Sequence, residues 1–280
     1  MKLFQYYDEK KKKRVGVVTK SGCFALPEDV TMESLLGRSG AELETMAESR
    51  NCGLLEPKEL HFAPIVSHPE KILCVGLNYD EHIDETGLGD TFRQGFPTVF
   101  CKFANALLGS GETLRLPPVA EKFDYEAELV IVMGASCKGV SKEEAGSYIA
   151  GYTVGNDFSA RDLQMATSQW TLGKACDGFA PVGPYLVPGD CIAPNHLDIS
   201  CRVNGSFVQQ SNTGKMLYSC AEIVSYLSQF ISLHKGDMIF TGTPAGVILG
   251  KPENQQHWLK SGDVVTVEIQ NIGVLETKLL

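Results

Sequence analysis

The stretch Asp124-Tyr-Glu-Ala-Glu-Leu-Val-Ile-Val-Met133 constrains this chain most. From Leu129 to Met133 it is wholly apolar and centred on the β-branched Val130, Ile131 and Val132. Such a strand offers no polar face to water, so it belongs inside a sheet covered on both sides. Ahead of that run stand Glu126 and Glu128, two residues apart. Side chains alternate along a strand, so both carboxylates leave the same face, a few ångströms apart.

Two anions on a half-buried face repel, and each loses hydration, unless a cation sits between them. A metal resolves the conflict, and hard carboxylate oxygens select Mg²⁺, Mn²⁺ or Ca²⁺ rather than zinc. An isolated E-x-E is more often an exposed pair on a solvated strand. A second acidic motif, Val154-Gly-Asn-Asp-Phe-Ser-Ala-Arg-Asp162, shifts the balance. Its Asp157 follows the apolar Tyr152-Thr-Val154 and so falls at a strand end, where a third carboxylate completes one face of an octahedron.

The remaining sequence frames these motifs. Lys2 to Tyr7 and Val15 to Thr19, around the turn Lys10-Lys-Lys-Lys-Arg14, predict a β-hairpin. Short helices are expected over Met32 to Arg38, capped by Thr31, and over Glu42 to Arg50. Pro57, Pro64 and Pro69 then mark a boundary, giving a small N-terminal domain over 1–67 and a larger one over 68–280. Ile72 to Val75 and Thr98 to Phe103 predict strands flanking a long Gly-rich connection, Leu77 to Phe96, of the kind that is either a functional lid or disordered. Capping boxes at Ser141/Glu144 and Ser219/Glu222 open helices, the first running to Ala150, the second carrying Ile223, Tyr226, Leu227, Phe230 and Ile231 at helical spacing. Asn204-Gly205 between Arg202-Val203 and Phe207-Val208 predicts a type I′ hairpin. Strands are also expected over Asp198 to Val203, Met238 to Thr241 and Val264 to Gln270. Short strands outnumber helices, so the class is α+β with a large curved or rolled β structure, without repeats or nucleotide-binding glycine motifs.

A net charge of -9 argues against nucleic acid as a partner. No stretch approaches the roughly 18 apolar residues of a membrane span, and nothing marks residues 1–14 for export. The nine cysteines are scattered without a C-x-x-C pair, and Cys74 and Cys101 fall in apolar runs where a thiol acts as a small hydrophobe. A reducing, cytoplasmic setting is expected.

At the acidic motifs the chain resembles the fumarylacetoacetate hydrolase family. Ile72-Leu-Cys-Val-Gly-Leu-Asn-Tyr79 with His82 is similar to its first motif, and Asp124-Tyr-Glu-Ala-Glu128 to its metal-binding E-x-E. Asn156 to Gln164 is similar to the segment supplying the third acid, and Gln169-Trp-Thr-Leu-Gly-Lys174 with Asp177 to Pro184 to the lysine segment. Gly236 to Gly246 is similar to the late glycine-rich loop. The match runs in order over roughly residues 70–280. It implies a mixed β-roll catalytic domain behind a small N-terminal α/β domain, a homodimer, and Mg²⁺ or Mn²⁺ held by Glu126, Glu128 and Asp157. It also implies that His82 and Glu85, three residues apart, act as a pair on a lid, with adjacent turns of a helix bringing them together. Leu77 departs from related decarboxylase-like members, which carry arginine there, and this weakens a decarboxylase assignment.

Among other candidates, Lys174 would counter charge developing on a bound enolate, and Gln164, Arg161 and the Thr243 hydroxyl would contact substrate. Arg161 and Asp162 could pair in support of Asp157, or form a plain salt bridge. Lys102 could reach the pocket or lie at the surface. The activity expected first is C–C bond hydrolysis in a 2,4-dioxo acid such as an acylpyruvate or diketo-deoxy sugar acid, with His82 and Glu85 activating water. Isomerisation, tautomerisation or decarboxylation, for example of 2-hydroxyhepta-2,4-diene-1,7-dioate or oxaloacetate, would use the same residues. A non-catalytic homologue is the third reading.

Overall fold

A computed structural model of the chain describes residues 1–49, 53–86 and 95–280. The apolar strand Ala127–Met133 is buried at every position, between antiparallel partners Ile149–Asn156 and Met238–Phe240. Ile149–Asn156 is likewise buried throughout, so both strands lie in the interior of the sheet. Beyond Met238–Phe240 come the parallel strand Ile72–Gly76 and the edge strand Thr98–Lys102. On the other side, Ile149–Asn156 pairs with Tyr185–Pro188, which pairs with Lys2–Tyr7. The expected N-terminal hairpin, Lys2–Tyr7 with Lys13–Thr19, therefore extends the same mixed sheet, which has 11 strands.

A second sheet of five strands is built from Ser206–Asn212, Asp198–Val203, Val264–Ile269, Gly273–Leu279 and Thr113–Leu114. Its inward residues Ile199, Cys201, Val265 and Val267 share one core with Leu129, Ile131 and Val154 of the large sheet. The hairpin turn at Asn204-Gly205 has φ of 52° and 82°, the left-handed pair that a type I′ turn needs. The class is α+β as expected: several sheets, few helices and no closed barrel among the described residues.

Both capping boxes form. The first opens only Lys142–Ala145, followed by a 3₁₀ turn, rather than a helix to Ala150. Ile149 already belongs to the buried strand, whose burial outweighs another helical turn. The second opens Cys220–Phe230, which buries Ile223, Val224 and Leu227 while Phe230 stays exposed and Ile231 caps the end. Cys101, expected inside, is exposed because Thr98–Lys102 is an edge strand whose residues alternate outward. Among the described residues no helix is long and apolar enough to cross a membrane. The expected lid contains the helix Asp80–Thr86; its part over 87–94 lies outside the described residues.

Candidate metal centre

Strand register assembles the acids. Ala127 pairs with Asn156 and Glu128 with Gly155, so Glu126 and Asp157 emerge side by side just beyond the paired ends. The Asp157 N–H donates to the Glu126 carbonyl at 2.9 Å, and the Glu126 N–H donates to Asn156 Oδ1 at 3.0 Å. One carboxylate oxygen from each of Glu126, Glu128 and Asp157 lies within 4.8 Å of the others, and all three residues are buried. Packing also explains the glycine opposite Glu128: a Cβ on Gly155 would come within 2.5 Å of Val130 Cγ2 and 2.7 Å of Phe240.

Three buried cations surround the triad. Arg161 Nη2 is 2.7 Å from Glu126 Oε1, and Lys174 Nζ is 2.7 Å from Glu126 Oε2 and 2.8 Å from Asp157 Oδ2. Lys102 Nζ is 2.5 Å from Asp157 Oδ1. The fourth buried acid, Asp124, accepts from Arg161 Nε at 2.9 Å and from the N–H groups of Ile248 and Leu249. Four carboxylates against three cations leave one negative charge uncompensated. It falls on Glu128, whose one hydrogen-bond partner among the described residues is the Gly242 N–H, 2.7 Å from Oε2.

Electrostatics follow that inventory. Burial, then the charges of Asp157 and Glu126, push the Glu128 carboxyl well above the usual carboxylate range. Burial acts the same way on Glu126, but Lys174 and Arg161 reverse it and hold that carboxyl far below the usual range. Burial lowers the Lys174 amine, and Asp157 and Glu126 more than offset this, so it stands above its ordinary value as an ammonium. A buried, all-oxygen donor set short of one positive charge fits a hard divalent cation.

Glu126 and Glu128 open on a cavity of about 240 Å³. His82, Arg161, Gln164, Lys174 and Thr243 line it together with Glu126 and Glu128, and apolar walls come from Leu77, Phe100, Trp170 and Leu249. Helix geometry brings His82 Nδ1 to 2.7 Å from Glu85 Oε1. Glu85 Oε2 accepts the Gly246 N–H at 2.8 Å, joining this helix to the late glycine-rich loop. Two N–H groups of that loop are thus engaged by Glu128 and Glu85. Thr243 Oγ1 accepts from Gln209 at 2.9 Å, leaving its own proton to donate. Leu77 adopts a left-handed φ of 60°, so backbone conformation as well as its side chain shapes the wall.

Every site residue singled out in the sequence reaches this one region, with differences of detail. Arg161 does not pair with Asp162, which accepts the Glu121 N–H at 2.7 Å. Pairing of Phe123–Asp124 with Ser159–Ala160 sets Arg161 beside Asp124 instead, and its remaining N–H groups go to Glu126 and Gln164. Gln164 Oε1 is occupied by Arg161, so its Nε2 is the atom left to donate. Lys102 is not at the surface: it is 2% exposed, and its Nζ also donates to the carbonyls of Phe158, Lys174 and Phe179. Sequence reasoning quoted Asp124 only as part of a motif and overlooked Gln209, which ties the Ala127 N–H to Thr243 and Pro244. Asp124 could have been found as a third acid in period-2 register with Glu126 and Glu128; Gln209 carries no local signal.

Residues 71–280 match the family model described as fumarylacetoacetate (FAA) hydrolase C-terminal. A Rattus norvegicus protein named as a mitochondrial oxaloacetate tautomerase is 38% identical over 258 residues, covering 91% of this chain and 81% of its own length. A fumarylacetoacetate hydrolase from Exiguobacterium antarcticum superposes with a TM-score of 0.81 at 30% identity, over 100% of this chain and 99% of its own. A fumarylpyruvate hydrolase from Pseudomonas aeruginosa, solved with Mn²⁺ and pyruvate, is 34% identical, with a TM-score of 0.68 over 79% of this chain and 91% of its own.

Proposed function

The chain belongs to the fumarylacetoacetate hydrolase family, and from that premise we propose that it is a Mg²⁺- or Mn²⁺-dependent tautomerase of a small 2-oxo acid of the oxaloacetate type. The observation that carries this reading is His82, held by Glu85 across 2.7 Å, lining the same cavity as Glu126 and Glu128 of the triad. At about 240 Å³ the cavity is below the roughly 300–1,000 Å³ of drug-sized sites, which suits an acid of a few carbon atoms.

Glu126, Glu128 and Asp157 would hold the cation, whose Lewis acidity would favour the enolate of a 2-oxo acid. Ca²⁺ shares the oxygen-donor preference and is an alternative occupant. Glu85 accepts Nδ1–H of His82 and so leaves Nε2 as the nitrogen that would carry a proton between the enol oxygen and the neighbouring carbon. Lys174, which lines the cavity beside the triad, supplies positive charge where an oxyanion develops. Gln164 Nε2 and the Thr243 hydroxyl donate to substrate oxygens, and Arg161 keeps Glu126 and Gln164 in place. Leu77, Phe100, Trp170 and Leu249 exclude water from the reacting carbon.

C–C bond hydrolysis of a 2,4-dioxo acid is the second reading, favoured by the likeness to the Pseudomonas fumarylpyruvate hydrolase. There His82, held by Glu85, would take its proton from water instead. Incubating the metal-loaded protein with enol-oxaloacetate and with acylpyruvates separates the two. Faster ketonisation with intact acylpyruvate supports the tautomerase; pyruvate and a free acid among the products would replace it with the hydrolase. The same reading takes the protein as a homodimer, which light scattering checks. The cytoplasmic setting expected from the sequence is not carried into it, because the rat relative is named as mitochondrial.

A further inference from the structure

All four carboxylate oxygens of Glu126 and Asp157 already face a cation: Arg161 and Lys174 on Glu126, Lys102 and Lys174 on Asp157. A divalent ion using both residues must either share these oxygens with the three groups, against the repulsion between cations, or displace one of them. They are not equally tied. Arg161 is held through separate nitrogens by Asp124, Glu126 and Gln164. Lys102 has no side-chain exposure and is pinned by three backbone carbonyls besides Asp157. Lys174 Nζ has only the two carboxylates as hydrogen-bond partners among the described residues, and it alone of the two lysines lines the cavity. A four-carbon stem lets its ammonium swing, and the Phe100 ring, 5.1 Å away, offers a face to rest against on the cavity side.

We propose that the Lys174 ammonium is a resident counter-ion that gives up its bridge between Glu126 and Asp157 when a divalent cation binds, and turns into the substrate cavity. This rests on reading the triad as a metal site. It adds that without metal Lys174 balances charge on Glu126 and Asp157, and that metal loading is an exchange of one cation for another at those two residues. That exchange frees an ammonium at the place where negative charge would build on a substrate oxygen. The same lysine thereby serves two states: it stabilises the empty triad, then it serves the cavity.

The test is Mn²⁺ binding by calorimetry to metal-stripped wild type, Lys174→Met and Lys102→Met. Both substitutions remove one positive charge beside Asp157, but only the first removes the bridge. Displacement predicts that Lys174→Met binds Mn²⁺ about tenfold or more tighter than wild type, clearly beyond any gain in Lys102→Met. Equal effects of the two, or unchanged or weaker binding in Lys174→Met, overturn it. Wild type supplies a readout that does not depend on the folding of a variant. A small amine-labelling reagent followed by mass spectrometry should modify Lys174 faster once Mg²⁺ is added, with Lys102 unchanged. A Lys174 labelling rate indifferent to Mg²⁺ overturns the proposal. Failure of wild type and both variants alike to bind any divalent ion removes the metal reading itself, whereas equal binding by all three removes only the exchange.

Discussion

The backbone N–H of Gly242 donates to Oε2 of Glu128 across 2.7 Å, the one hydrogen bond that this buried carboxylate makes among the described residues. Only glycine suits position 242: φ is +98°, and a Cβ would lie 2.7 Å from the Asn78 Cβ. Glu128 is thus oriented but not neutralised, whereas Glu126 and Asp157 are held by cations.

Removing that charge should relieve the empty site. Glu128→Gln keeps the shape and leaves three carboxylates to three cations. The metal-free variant should melt at or above the temperature of metal-free wild type, and Mn²⁺ should no longer raise it. Thermal scans with and without Mn²⁺ read both effects. A variant that melts lower than metal-free wild type, or still gains stability from Mn²⁺, contradicts the assignment of Glu128.

The same group sets a pH dependence. Burial, then Asp157 and Glu126, raise the Glu128 carboxyl above its unfolded value of about 4.3. A group raised on folding binds its proton more tightly in the folded state, so its contribution to stability is full below about pH 4 and is lost as pH rises through the folded value. Metal uptake needs the carboxylate and should release this proton. Calorimetry of Mn²⁺ binding in buffers of different ionisation enthalpy, near the acid end of the stable range, should show proton release that fades at higher pH. Heats independent of buffer throughout that range would count against it.

His82 and Glu85 should separate in their effects. His82→Ala removes the proton carrier and should lower turnover by about 10²–10⁴-fold. Glu85→Gln keeps a hydrogen-bonding side chain but loses the charge that steadies an imidazolium, so its loss should be smaller. It should also lower thermal stability slightly, because the Gly246 N–H exchanges a carboxylate for an amide. Steady-state rates on enol-oxaloacetate check the order, and Glu85→Gln falling below His82→Ala would reverse the assigned roles.

Gly173 fixes where Lys174 stands. A Cβ there would meet Gln164 N at 2.4 Å and the Ala160 carbonyl at 2.6 Å, forcing apart the short helices Arg161–Gln164 and Thr171–Lys174. Gly173→Ala should therefore cost about 1–3 kcal/mol and weaken turnover. Gly146→Ala is the contrast: its φ of -59° is helical and nothing lies within 4 Å, so it should be neutral or stabilise by up to about 1 kcal/mol. Denaturant unfolding of the pair checks the difference.

Period-two alternation and apolar runs were enough to find the central strand, the E-x-E face and the hairpins, because those signals are local. Capping boxes located helix starts but not their ends: at Ala145 the next strand stops the helix, which depends on pairing far away in sequence. The sequence leaves Lys102 open between pocket and surface, because nothing local says that its inward face meets the distant Asp157. Arg161 was legible as a site residue, but its partner depended on the short Phe123–Asp124 pairing and not on the adjacent Asp162. Charge compensation is a three-dimensional property, so the deficit at Glu128 became visible only once all seven charged groups were placed.

The most direct measurement is the rate of enol-to-keto conversion of oxaloacetate by metal-stripped protein as Mn²⁺ is restored, compared between wild type and Asp157→Asn. Wild type should gain activity in step with metal occupancy, saturating near one ion per chain, and Asp157→Asn should stay near the uncatalysed rate. Equal activity with and without metal, or a variant that responds like wild type, would contradict the account.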